Sequence, residues 1–265
     1  MKKYGLSPNK ALGQNFLVDE YHLAEIVKAA DLSGAEEVLE VGPGLGSLSR
    51  HLAEEAARLV VVELDGKLLP PLRENLSDYS NIEIIQDDIL KLKLSDVFSK
   101  SGYQVIANIP YYLTSRLIRH LLEQEQQPAK LALTVQKEVA ERACASPPKM
   151  SLLSLSVQLY GSPRIAHRIP AGAFYPEPKI DSALLIVEVF DRAKFSAEHI
   201  DSFFKLTKAA FQQKRKTLAN SLASLPGWTK DYAGEQLVAA DIDPQRRPQT
   251  LDLDEWERLV KADKK

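Results

Sequence analysis

Asn108-Ile109-Pro110-Tyr111 combines residue types suited to work on an aromatic amine. The exocyclic amine of adenine is a weak nucleophile because its lone pair is delocalised into the ring. The Asn108 side-chain oxygen and the Ile109 carbonyl supply two acceptors for its hydrogens, which would leave the lone pair aimed at a methyl donor. Pro110 fixes the local φ and removes a competing N–H. Tyr111 offers a flat face for a base, a contact that contributes ~1–3 kcal/mol in nucleic-acid complexes. A strand-end turn with an asparagine cap is the plainer use of the same residues.

A second cluster is Glu40-Val41-Gly42-Pro43-Gly44-Leu45-Gly46-Ser47-Leu48, a glycine-rich turn that opens a helix. Glycines are needed where the backbone must turn tightly and approach a ligand with no Cβ in the way. Glu63 closes the next apolar run, where a carboxylate accepts hydrogen bonds from a ribose diol; it would equally serve as a capping or surface residue. A dinucleotide fingerprint would place a third glycine where Ser47 stands, so NAD is disfavoured. The tight turn suits a ligand without a pyrophosphate, such as S-adenosylmethionine. Asp88, in Gln86-Asp87-Asp88-Ile89, is placed for an adenine amino group, although paired acids are also ordinary in such loops.

These residues need a parallel sheet to bring them together. Short β-branched runs predict strands at Val38 to Val41, Leu59 to Glu63, Ile82 to Ile85, Val105 to Asn108 and Leu131 to Val135. Helical spacing covers Ser47 to Ala56 and Thr114 to Gln124, with Thr114 as N-cap. The alternation predicts an α/β fold built from βαβ units up to about residue 190. Runs near Ser156 to Tyr160 and Ala183 to Phe190 lack a long helix between them and predict a closing antiparallel pair.

From residue 191 the pattern is helical throughout, which predicts a second, all-helical domain over 191–265 after a first over 1–190. Phe204, Phe211, Leu218 and Leu225 recur at heptad spacing with Leu222 beside them, a stripe that needs a partner surface. Thr229 and Asp252 read as N-caps, the latter forming a capping box with Glu255. Between Ser202 and Lys230 stand Lys205, Lys208, Lys214, Arg215, Lys216 and Lys230 with no acidic residue among them. On one continuous helix Arg215 would fall beside the apolar stripe, as an interface residue or a reader of phosphate. A solvated helix face explains the other charges as well.

Composition sets outer limits. With 45% hydrophobic and 26% charged residues the chain can bury a core, and its net charge of −2 excludes a uniformly basic nucleic-acid coat. The single Cys144 excludes an internal disulfide framework and fits a reducing, cytoplasmic compartment. The N-terminus lacks the apolar core of a signal peptide, and no run is long enough for a membrane span. The five histidines are scattered, and neither a P-loop nor a G-x-S-x-G elbow occurs, so no metal site is expected.

Taken together the blocks resemble the bacterial small-subunit ribosomal RNA adenine dimethyltransferases of the KsgA family, over almost the whole chain. Lys10 to Leu17, Gln136 to Arg142, Phe174 to Ser182, Lys214 to Leu218 and Arg247 to Leu251 are similar to family blocks. The resemblance implies a Rossmann-like class I methyltransferase domain, with a mostly parallel seven-stranded sheet, followed by a small helical RNA-binding domain. It implies S-adenosylmethionine held by Asn15, Leu17, Gly42, Glu63, Asp88 and Asn108, and catalysis by Asn108, Tyr111 and Phe174, with Phe174 as a second aromatic against the target base. Lys137, Arg142, Lys208, Arg215 and Lys216 would contact RNA. The implied activity is dimethylation at N6 of two adjacent adenines near the 3′ end of small-subunit rRNA, by a monomer acting on an immature 30S subunit. Where the family usually carries a glycine-containing loop, this chain reads Pro147 to Leu153. Two rival readings are an assembly factor whose binding matters more than its methylation, and a small-molecule methyltransferase with no need of the basic helices.

Overall fold

A computed structural model describes residues 2–9, 12–110 and 113–263. Strands and helices alternate: β1 (Phe16–Leu17), α1 (Glu20–Ala30), β2 (Glu37–Val41), α2 (Ser47–Glu55), β3 (Arg58–Glu63), α3 (Leu69–Asn75), β4 (Ile82–Gln86), β5 (Gln104–Asn108), α4 (Thr114–Leu122), β6 (Lys130–Gln136) and α5 (Lys137–Ala143). There follow α6 (Leu152–Tyr160), β7 (Gly161–Ile169), β8 (Phe174–Tyr175) and β9 (Ser182–Val189). The chain then continues with α7 (Ala197–Gln212), α8 (Leu218–Leu222), α9 (Lys230–Ala239) and α10 (Leu253–Ala262).

Two compact units result, one of Met1–Ala140 with Ser162–Val189 and the other of Glu141–Gly161 with Phe190–Lys265. A single cut near residue 190 therefore misses that Glu141–Gly161 groups with the C-terminal helices. In the first unit seven strands run in the order β4-β3-β2-β5-β6-β9-β7. Pairs β2–β3, β3–β4, β2–β5 and β5–β6 are parallel, and β9 joins β6 antiparallel. Val38, Leu39, Leu59 to Val62, Val105 to Ala107 and Leu131 to Leu133 are buried, as expected of strands covered on both faces. The strand order reverses between β2 and β5, the place where open α/β sheets leave a crevice at their carboxyl ends.

Three sequence expectations change. Ser156 to Tyr160 is the end of helix α6. A capping box of Ser151 and Ser154 starts that helix, and nearly all its side chains are buried, so no polar face betrays the helical period. Thr114 is the first residue of α4 and Leu113 is its N-cap, with the Leu113 N–H donating to the Pro110 carbonyl (3.0 Å). The heptad stripe is buried as expected at Phe204, Leu218, Leu222 and Leu225, but it spans two helices joined by a turn at 213–217. Arg215 lies in that turn with Lys214 and Lys216, all exposed, and not beside an apolar seam.

The second unit closes around Trp256, Phe203, Leu218, Leu222, Leu237 and Leu259. Thr229 caps α9 and the Asp252–Glu255 capping box starts α10, as predicted. Arg246 clamps Glu255 with both terminal nitrogens, tying the loop before α10 to its first turn. The divergent loop at Pro147 to Leu153 has its own stitching: Met150 N–H donates to the Gln249 carbonyl (3.0 Å), and Ser151 caps α6.

Candidate active site

The crevice at the strand reversal holds a cavity of about 190 Å³, walled by the β2–α2 turn, the ends of β3 and β5, the loop after β4 and the segment 12–17. Every wall belongs to the first compact unit.

Gly42, Gly44 and Gly46 all have positive φ, so the turn is built from conformations that side-chain-bearing residues rarely adopt. At Gly44 (φ 62°) a Cβ would also sit 2.7 Å from the Phe16 ring, which packs directly on the turn. The Gly42 N–H donates to the Val62 carbonyl (2.9 Å), and Glu63 Oε2 accepts from Gly44 N–H (3.2 Å) while Oε1 accepts from Asp65 N–H (2.8 Å). Glu63 is thus held rigidly at the cavity wall by two backbone donors, and burial raises its pKa above the ordinary glutamate range.

Asn108 ends β5, and its Nδ2 donates to the Asn15 carbonyl (3.0 Å). That bond anchors the N-terminal segment and turns the amide so that Oδ1 remains as an acceptor. Gln14 adds a second tether, Nε2 to Asp65 Oδ2 at 3.0 Å. Asn15 and Leu17 both line the cavity with Gly42, Glu63, Asp88 and Asn108, so all six proposed cofactor positions come together. Asp88 also organises its own turn, Oδ1 accepting from Leu90 N–H (3.1 Å).

The remaining expected positions are distributed differently. Tyr111 lies outside the described residues, as does Lys10 of the N-terminal block. Phe174 is 4% exposed and packs in the hydrophobic core with Leu17, its register partner in β1, and it does not line the cavity. Lys137 opens α5 and Arg142 is exposed near the end of that helix. Lys208 is exposed on α7, its Nζ 5.8 Å from the centroid of the Phe204 ring.

Sequence reasoning passed over Glu40 and Arg116, both in the cavity wall. The signal for Glu40 was present: a carboxylate inside an otherwise apolar strand is an informative anomaly. Glu40 is 2% exposed, and its Oε2 has no hydrogen-bond partner among the described residues. Burial, reinforced by the neighbouring Glu63 charge, pushes its pKa up to about 8. Between pH 4.5 and 8 the folded protein therefore keeps a proton that the unfolded chain releases, so stability falls as pH rises through this window. Glu40→Gln, neutral throughout, should escape a loss of up to about 5 kcal/mol. Urea unfolding of the ligand-free proteins should show the variant gaining on the wild type from pH 5 to pH 9; parallel profiles would mean that Glu40 is ionised when folded.

The ribosomal RNA adenine dimethylase model matches residues 5–261. The ribosomal RNA small subunit methyltransferase A of Dehalococcoides mccartyi strain CBDB1 is 41% identical over 260 residues, spanning 98% of this chain and 89% of that protein. Its namesake in Enterococcus faecalis is 39% identical over 272 residues, spanning 99% and 92%. Among solved structures, a dimethyladenosine transferase from Plasmodium falciparum superposes with a TM-score of 0.79 at 24% identity, over 92% of this chain and 95% of that one. The 23S rRNA methyltransferase ErmE gives 0.74 at 24%, over 94% and 99%. These last two speak for the fold alone. The family match takes in both the sheet with its glycine turn and the C-terminal helices, and the chain belongs to the ribosomal RNA adenine dimethylase family.

Proposed function

We propose that this protein transfers methyl groups from S-adenosylmethionine to the N6 amines of two adjacent adenines near the 3′ end of small-subunit (16S) rRNA, giving N6,N6-dimethyladenosine. It acts as a cytoplasmic monomer on an immature 30S subunit and so contributes to small-subunit biogenesis. The single observation that carries the chemistry is the tethered Asn108 amide at the strand reversal. With Nδ2 spent on the Asn15 carbonyl, Oδ1 accepts one hydrogen of the target amine and the Ile109 carbonyl the other. No strong general base is needed, since a methylated aminium loses its proton readily to water.

The cavity suits the cofactor on its own terms. The Gly42 to Gly46 turn admits a ligand close to the backbone, Glu63 faces a ribose, Asp88 an adenine amine, and Asn15 and Leu17 the methionine end. The unpartnered Oε2 of Glu40 is a buried polar atom in the cavity wall, and a bound cation beside it would favour loss of the proton that Glu40 keeps in the ligand-free protein. S-adenosylmethionine, when bound, supplies an electrophilic methyl on a sulfonium. Among the described residues no group of His, Cys, Asp and Glu is arranged to hold a metal, and no helix is long and apolar enough to cross a membrane.

Glu63→Ala should weaken S-adenosylmethionine binding by about 1–3 kcal/mol, through loss of a charge-assisted hydrogen bond. Unchanged calorimetric affinity would take Glu63 out of the cofactor site. Labelled transfer to small subunits, with large subunits alongside, tests the substrate class. Incorporation into the large subunit alone would overturn it.

A further inference from the structure

We infer that Arg116 grips a backbone phosphate of the RNA nucleotide whose amine reaches Asn108, and so positions that nucleotide at the mouth of the cavity. The inference rests on the proposed RNA substrate and adds a residue to it. Among the described residues that wall the cavity, Arg116 is the only basic one, set against Glu40, Glu63, Asp87 and Asp88. None of these acids takes up its charge. Glu63 accepts from the Gly44 and Asp65 N–H groups, Asp87 from the Asp88 N–H (2.7 Å) and Asp88 from the Leu90 N–H (3.1 Å), while Glu40 keeps its proton. Arg116 forms no hydrogen bond or ion pair among the described residues. Its guanidinium is left for an anion from outside the chain.

The position of Arg116 says which anion. Asn108 ends β5, and Arg116 stands in the first turn of α4, just after the bond from the Leu113 N–H to the Pro110 carbonyl. One strand–helix connection thus carries both the amine acceptor and the cation, and buried Leu117 and Ile118 anchor its helix. A side chain that lines the wall and is yet exposed lies where the cavity opens to water. A base drawn into the pocket leaves its sugar and phosphates at that opening. The planar fork of a guanidinium binds two phosphate oxygens at once, which fixes orientation as well as charge. The cofactor's carboxylate is the competing oxyanion, but it belongs at the methionine end with Asn15 and the buried Leu17.

The test compares wild type, R116A and R116K in binding to small subunits over a range of salt, in methyl transfer to them, and in calorimetric affinity for S-adenosylmethionine. R116A should bind about tenfold more weakly, with a salt slope lower by roughly one, while cofactor affinity and melting temperature stay at wild-type values. R116K should recover the slope but not the rate of transfer, because a lysine restores the charge without the fork. Equal binding and slope in R116A and wild type, including no measurable binding by either, would overturn the assignment. So would a loss of cofactor affinity in R116A, which would place the cofactor's carboxylate on Arg116, or full recovery of transfer in R116K, which would reduce Arg116 to a part of the general field. Absence of transfer by the wild type would overturn the proposed activity and leave the binding comparison to decide on Arg116.

Discussion

Asn108→Ala is expected to lower methyl transfer to small subunits by about 10²- to 10³-fold, the loss typical when a preorganised hydrogen-bonding group is removed from a reacting centre. The amide is held by its bond to the Asn15 carbonyl, so Oδ1 needs no reordering when the amine arrives. Alanine removes both the acceptor and the tether. The tether supports a segment that also carries Asn15 and Leu17, and a modest fall in cofactor affinity should accompany the loss of turnover. The two effects separate in single-turnover rates at saturating cofactor, set beside calorimetric binding of S-adenosylmethionine. A variant whose turnover recovers fully at saturating cofactor would show that Asn108 builds the cofactor site and does not hold the amine.

Reversing Lys208, Arg215 and Lys216 together to Glu is expected to weaken binding to small subunits by about 100-fold or more at low salt, and to lower the salt slope by roughly 2–3. With a net charge of −2, any field that attracts RNA must be local, and these residues lie in a stretch with no acid from Ser202 to Lys230. The fold alters what each is expected to do. Arg215 stands in an exposed turn after α7, so Arg215→Glu should leave the melting temperature unchanged. Lys208 covers part of the Phe204 ring and should cost some stability as well. Wild-type affinity and salt slope in the triple variant would remove the helical unit from the RNA-binding surface.

The parallel sheet was legible because strands buried on both faces are written as continuous apolar runs; Leu59 to Val62 has no other good use. The glycine turn and Asn108 could be placed for the same reason, since each follows such a run directly. Helix α6 was misread because it is buried nearly all round, and its Ser156-Val157-Gln158-Leu159 stretch alternates like a strand. Heptad spacing continued across the turn at 213–217, where Phe211 and Leu218 serve one core from two different helices. The burial of Phe174 depends on the pairing of β8 with β1, where Phe174 lies opposite Leu17, a contact between distant parts of the chain that local spacing does not encode. Glu40 was visible as an anomaly, but its missing partner becomes apparent only once the surrounding atoms are in place.

Mapping of the methylated nucleotides decides whether the tethered Asn108 amide holds an rRNA adenine amine for methylation. Small subunits lacking the modification are incubated with the protein and labelled S-adenosylmethionine, and the labelled nucleotides are then located in the RNA. Label is expected on N6 of two adjacent adenines near the 3′ end, progressing to the dimethylated form and sharply reduced with Asn108→Ala. Label on ribose, on another base, or on adenines in wild-type amount with Asn108→Ala would contradict it.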